Sequence, residues 1–275
     1  MFTKKLHNKA KKHLILFKKY YIILNRIVIN VRGVAMSVYA MSDLHLALGV
    51  DKPMDIFGKG WSDYMQRIQT NWNNIVGDND IVIVGGDVSW AMYLDECHQD
   101  FEYIERLKGK KIILKGNHDY WWESVTKLNN FVNSNGYGSI SFLYNNSFVA
   151  ENYAICGTRG WILPKDSRFK QDDQKSYDRE LIRFELSASN MLENIKMSDS
   201  QINRVAVFHY PPFTSTGEFD ENVLELLKKY GIQKCIYGHL HGRSAVSAFE
   251  GEHDGIKYKL VSSDYMNFEP CNLNF

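Results

Sequence analysis

The chain lacks any CxxC pair. Cys97, Cys156, Cys235 and Cys271 each stand alone in 275 residues, which excludes a zinc ribbon or a disulfide framework and fits reduced thiols in a cytoplasmic protein. Proline is scarce, at five residues, and no internal repeat is present. Collagenous, low-complexity and wholly disordered classes are therefore excluded. No uninterrupted apolar run approaches the roughly 18 residues needed to span a bilayer, so a membrane-embedded protein is excluded too. What is present is a chain that is 44% hydrophobic and 24% charged, long enough to bury a substantial core as one large domain, or as one domain with attachments.

Acidic residues are missing altogether from residues 1–35, which hold nine Lys and Arg. The overall charge of +1 therefore leaves 24 bases against 32 acids, about −8, on residues 36–275, a poor electrostatic match for nucleic acid. The basic start is not a secretory signal: Lys18, Lys19, Asn25 and Arg26 interrupt its apolar residues, and no small-residue cleavage site follows. Two readings stand. One is a genuine basic extension. The other makes Met36 the true initiator, because codons for Arg32-Gly33-Val34 can spell a purine-rich tract resembling a bacterial ribosome-binding site.

From Met36 onward, short β-rich runs alternate with helical patterns. Val38–Ser42, Ile81–Gly85 and Lys111–Lys115 read as buried strands. Trp61–Val76, Phe101–Leu107 and Val125–Val132 read as the helices between and after them, a β-α-β-α-β opening of a largely parallel sheet. Phe142–Tyr144, Phe148–Ala150 and Tyr153–Cys156 read as a hairpin-rich middle, with Asn145-Asn146 as the first turn. A long helix at Tyr177–Lys196 follows, then strand Val205–His209, helix Glu221–Tyr230, strand Cys235–Gly238, and terminal strands near Ser244–Phe249 and Lys257–Ser262. The expected class is α/β, with two sheets flanked by helices.

The polar residues that matter fall where strands end. Asp43-Leu44-His45, Gly86-Asp87, Gly116-Asn117-His118-Asp119, His209 and Gly238-His239-Leu240-His241 each follow an apolar strand. In open α/β sheets these carboxyl ends face a common crevice. Alone, Gly-Asp is an ordinary turn and His209 an ordinary core histidine. Together, five strand ends deliver seven potential ligands: Asp43, His45, Asp87, Asn117, His209, His239 and His241. Mixed carboxylate and imidazole suits Mn, Fe, Zn or Co better than Mg or Ca. The one-residue spacing in Asp-x-His and His-x-His points both members the same way if the backbone is extended. Arg159, in a Gly-rich loop, is a candidate substrate-binding phosphate clamp. Trp90, Trp121, Trp122 and Trp161 are expected to pack as core.

This set resembles the signature of the calcineurin-like metallophosphoesterase superfamily. The stretches Gly86–Met92, Asn117–Trp122 and Gly157–Trp161 are similar to a bacterial group of predicted phosphohydrolases. The resemblance implies a catalytic domain over residues 36–275, built as a four-layer αββα sandwich of two mixed sheets, with two divalent transition-metal ions. It assigns one ion to Asp43, His45, Asp87 and His241, and the other to Asp87, Asn117, His209 and His239. It makes His118 a general acid or phosphate-binding group, with Asp119 holding its ring. The implied reaction is phosphoester hydrolysis by direct attack of a metal-bridging hydroxide. Its partner is a small phosphorylated molecule, nucleic acid entering only as substrate, with no membrane involved and oligomeric state open. Two rival readings are a catalytically silent metal-binding scaffold and a nucleic-acid binder using the basic arm.

Overall fold

Each apolar run that ends in a Gly- or Asp-containing loop becomes a short strand, and most pair in parallel. The computed structural model describes residues 36–52, 54–196 and 202–275, so both readings of the basic start lie outside the described residues. The first sheet runs β11 (Cys271–Asn272), β1 (Val38–Met41), β2 (Ile81–Val84), β3 (Lys110–Leu114), β4 (Ile140–Leu143). Within it β1 to β4 are parallel and β11 pairs antiparallel with β1. The second runs β5 (Phe148–Ala150), β6 (Tyr153–Thr158), β7 (Asn203–Phe208), β8 (Lys234–Tyr237), β10 (Ile256–Leu260), β9 (Gly251–His253). Here β6, β7, β8 and β10 are parallel, with an antiparallel strand at each edge.

Period-2 alternation sorts the sheet residues into layers. Tyr39, Met41, Val82 and Val84 join one apolar cluster with α1 (Tyr64–Ile75), α2 (His98–Arg106) and α3 (Val125–Ser134), which supply Trp72, Phe101 and Leu128. Ala154, Cys156, Ala206 and Phe208 join a second with α4 (Gln174–Ile195) and α5 (Glu221–Lys229), through Phe184 and Leu227. The intervening Ala40, Ile83, Val207 and Ile236 are fully buried yet belong to neither cluster, so they face the opposite sheet. Leu143 of the first sheet indeed fills the space beside Gly157 of the second. The result is the expected four-layer αββα sandwich of two mixed sheets. Local signals start the helices: Ser124 and Asp220 cap α3 and α5 by accepting from the amides of Lys127 and Val223. Among the described residues no helix is long and apolar enough to cross a membrane.

Two expectations are corrected. Asn145-Asn146 is no hairpin turn, since β4 pairs with β3 and β5 with β6. The turn instead carries the chain from one sheet to the other, with Asn146 bonding the Tyr144 amide and the Phe142 carbonyl. Gly242–Ser247 forms a 3-10 helix where a strand over Ser244–Phe249 was expected. There the Ser244 and Ser247 hydroxyls close back onto the carbonyls three residues earlier, competing with ladder pairing. The two-residue β11 carries no pattern long enough to read.

Candidate metal centre

All five ligand-bearing loops leave the carboxyl ends of parallel strands, and backbone hydrogen bonds lock them together. The amide of Asp43 donates to Gly86 O at 2.9 Å, and those of His45 and Leu46 to Asp87 O and Val88 O, each at 2.9 Å. Asp43, His45, Asp87 and His239 adopt left-handed backbone, with φ of +58°, +47°, +52° and +69°. This corrects the extended reading of Asp-x-His: Asp43 and His45 reach the crevice through two left-handed residues instead. Such conformations are costly for non-glycine residues and persist where surroundings over-determine them. Gly116 is required here for close approach, because a Cβ would lie 2.1 Å from the Asp87 amide nitrogen.

Asp43 is fully buried. It accepts from the Ser42 hydroxyl, from Ser262 Oγ at 2.8 Å and from the His239 amide at 3.0 Å. The ligand atoms gather into two groups, Asp43 with His45 and His241, and Asp87 with His209 and His239, the atoms within each lying within 4.8 Å of one another. Asp87 Oδ2 stands between the groups, 3.8 Å from His45 Nε2 and 3.4 Å from His209 Nε2. Asn117 Oδ1 completes the second group, 2.7 Å from His209 Nε2 and 2.8 Å from His239 Nδ1. All seven predicted ligands are thus brought together. Asp43, His45, Asp87 and Asn117 come from the first sheet, and His209, His239 and His241 from the second.

The electrostatics of the ligand groups follow from burial and from the carboxylates among them. Burial lowers the His45 pKa to about 4 against the pull of Asp87 and Asp43. Burial, aided by the charge of His209, lowers that of His239 to about 3. Both rings are therefore neutral and able to coordinate. For His209, burial is outweighed by the Asp87 carboxylate, and its pKa is raised to about 9. His209 Nδ1 faces Gly85 O at 3.0 Å, a carbonyl that can only accept, which turns Nε2 toward the centre. His45 Nδ1 and Nε2 and Asp87 Oδ2 are buried without a hydrogen-bond partner. Polar atoms left that way are costly, and a bound cation satisfies them. The donor set fits two divalent ions.

The remaining predicted residues divide. His118 lies beside the centre: its amide donates to Asp87 Oδ1 at 2.7 Å, and its ring is 5.8 Å from that of His45. Asp119 does not hold that ring. Its fully buried carboxylate accepts from the amides of Gly116, Asp87, Val88 and Ser89 and from Trp121 Nε1, while His118 Nδ1 has no partner. Burial, with the charge of Asp87, raises the Asp119 pKa to about 6 against those amide donors. Asp119 is the post on which the second and third ligand loops hang. Arg159 is not among the converging groups; its guanidinium lies 3.5 Å from Glu180 and 4.4 Å over the Trp161 ring.

Several contributors escaped sequence reading. Trp121 packs in the core as expected, but Trp90 stacks on His45 at 4.8 Å and tilts over His118 at 4.5 Å. Tyr210 lies 4.2 Å over His239, with Trp161 beside it at 5.8 Å. Tyr210 follows His209 directly, a position the strand-end pattern could have flagged. Ser42 and Ser262, which donate to the Asp43 carboxylate, and Ser263, whose hydroxyl donates to Asp43 O at 2.7 Å, carry no such signal; two of them come from the far end of the chain.

A family model for the calcineurin-like phosphoesterases matches residues 36–243, from ahead of the first ligand to just past the last. The chain belongs to the calcineurin-like phosphoesterase family. That places it among metal-dependent phosphoester hydrolases, and its two ligand groups suit the divalent ions such chemistry needs. No curated protein matches this calcineurin-like phosphoesterase significantly. Among solved structures, phosphopantetheinyl hydrolase from Mycobacterium tuberculosis is 14% identical with a TM-score of 0.51, over 88% of this chain and 97% of that one. A protein of unknown function from Aquifex aeolicus is 15% identical with a TM-score of 0.44, over 86% and 96% of the two chains. At such identities the first likeness is one of fold.

Proposed function

We propose that this protein hydrolyses a phosphomonoester or phosphodiester using two divalent transition-metal ions, Mn, Fe, Zn or Co, without a covalent intermediate. Asp43, His45, Asp87 and His241 would hold one ion, and Asp87, Asn117, His209 and His239 the other. The observation that carries the reading is the pair of ligand groups meeting at Asp87 Oδ2, buried and without a hydrogen-bond partner. When bound, two such ions neutralise phosphoryl oxygens and make water acidic enough to attack near neutral pH.

The chain's own residues supply orientation and a proton. The carbonyl of Gly85 fixes the His209 ring, and the Asp119 carboxylate fixes the loops bearing Asp87 and Asn117. His118 is the proposed acid. Its half-buried ring lies beside that of His45, which supports proton delivery to a leaving oxygen. Trp90, stacked on His45 and tilted over His118, restricts water around both. The substrate is a small phosphorylated molecule met in the cytoplasm, nucleic acid entering only as substrate.

The test is hydrolysis of an aryl phosphate by metal-reconstituted protein. Asp87→Asn and His239→Ala are each expected to abolish metal-dependent turnover while circular dichroism stays native. Wild-type rates in both folded variants would overturn the reading.

A further inference from the structure

Beside the Asn117–His209 flank of the centre, a narrow cleft at the ends of β3 and β6 is lined by Lys115, Tyr144, Arg159, Glu180 and Arg183. Three cations line it beside a single carboxylate, which two of them contact. Glu180 is buried, and its Oε2 already accepts from the Thr158 hydroxyl at 2.5 Å. Its Oε1 is divided between Arg183 at 2.6 Å and Arg159 at 3.5 Å. Arg183 also donates to Tyr144 Oη at 2.6 Å. Arg159 Nε is buried with no partner, on a side chain that is 13% exposed. Lys115 is half-buried and makes no hydrogen bond or ion pair among the described residues.

A structural ion network matches its charges, because unpaired buried cations are strongly disfavoured. This one leaves an excess of two positive charges and several N–H donors without acceptors, in a cleft that opens at the surface. An oxyanion supplies what is missing: guanidinium forks and an ammonium are the usual partners of phosphate and carboxylate. The cleft is also tied to the centre. Lys115 stands two residues before Asn117, and Arg159 O accepts from the amides of His209 and Tyr210 at 3.1 and 2.8 Å. The rings of Trp161 and Tyr210 bridge from Arg159 to His239.

We propose that Lys115, Arg159 and Arg183 form an anion subsite, and that the substrate is bis-anionic, carrying a second phosphate or carboxylate beyond the phosphate that is cleaved. The subsite stands on its own geometry; the substrate class rests on the phosphoesterase reading. Because the cleft is narrow, it receives the charged end of a ligand and not a ring.

Two measurements on the full chain separate the claims. In the first, metal-free protein is titrated with inorganic phosphate by calorimetry. Lys115→Gln, which breaks no ion pair, is expected to weaken binding about tenfold, and Lys127→Gln, at an exposed position on α3, to leave it unchanged. Absence of binding, or equal binding by Lys115→Gln, overturns the subsite. In the second, metal-loaded protein is given glucose 1-phosphate and glucose 1,6-bisphosphate. Lys115→Gln is expected to lower the bisphosphate-to-monophosphate ratio of kcat/KM about tenfold, chiefly through KM. An unchanged ratio overturns the substrate class. If neither sugar phosphate nor any aryl phosphate turns over, the phosphoesterase reading fails while the phosphate titration still decides the subsite.

Discussion

Replacing Asp119 by Asn distinguishes a scaffolding carboxylate from a catalytic one. Oδ1 accepts from the amides of Val88 and Ser89 at 2.8 and 3.3 Å and from Trp121 Nε1 at 3.0 Å. Oδ2 accepts from the amides of Asp87 and Gly116 at 3.0 and 2.7 Å. All five partners are donors, so an Asn amide must set its own NH2 against one group. Opposing the smaller group leaves two buried amides without acceptors, at about 1–3 kcal/mol each. The expected loss is therefore about 2–6 kcal/mol, a large part of a domain's roughly 5–15 kcal/mol. For a domain of this size that lowers Tm by about 5–20 °C. The assay is thermal and urea unfolding of metal-free protein at pH 8, followed by circular dichroism. A variant whose midpoint stays within about 1 °C of wild type, with turnover altered through His118, would restore the ring-holding role and refute the scaffold.

Other perturbations follow from the same geometry. Saturating metal-free protein with Mn or Zn, at about a hundred times Kd, raises stability by about 2.7 kcal/mol for each ion held; in Asp87→Asn, which touches both ligand groups, calorimetry and Tm should lose most of that rise. His118→Gln should slow esters of poor leaving groups at least tenfold more than aryl phosphates, a Brønsted comparison in which equal losses argue against the acid role. Lys111 is buried with its ammonium on the carbonyls of Leu107 and Gly109 at 2.7 and 2.9 Å. Burial, opposed by Glu105, lowers its pKa from 10.5 to about 8. The folded chain releases this proton first, so stability should rise by about 3 kcal/mol between roughly pH 8 and 10.5. Lys111→Met should remove that slope in pH-dependent urea unfolding, and equal slopes would refute the assignment.

The convergence of the seven candidate ligands was legible because their chemistry is written at strand ends. Apolar runs such as Ile81–Val84 fixed where strands stop, and the Asp, Asn and His that follow had little structural reason to recur there. Their backbone conformation was not legible: left-handed Asp43 and His45 depend on hydrogen bonds with Gly86, Asp87 and Ser263, all distant in sequence. Asp119 was misread for the same reason, since its adjacency to His118 in sequence says nothing about the four amides around it. Trp90 was expected in the core because aromatic residues near loops usually pack inward. Its place over His45 follows from the pairing of loops 43–46 and 86–90, which no local pattern reveals. The middle strands divided between two sheets because hairpin and crossover turns draw on the same Asn-rich sequences.

Four of the seven candidate ligands belong to one sheet and three to the other, so a loaded centre would rivet two halves otherwise joined by apolar contact and a few hydrogen bonds, such as those of Asp43 with Ser262 and of Gly85 with His209. Loop 43–46 and loop 239–241 are then cross-linked across nearly the whole folded sequence, and neither half can peel away without breaking coordination. Chelators should accordingly act on the lifetime of the native state, shortening it against proteases long before any secondary structure is lost.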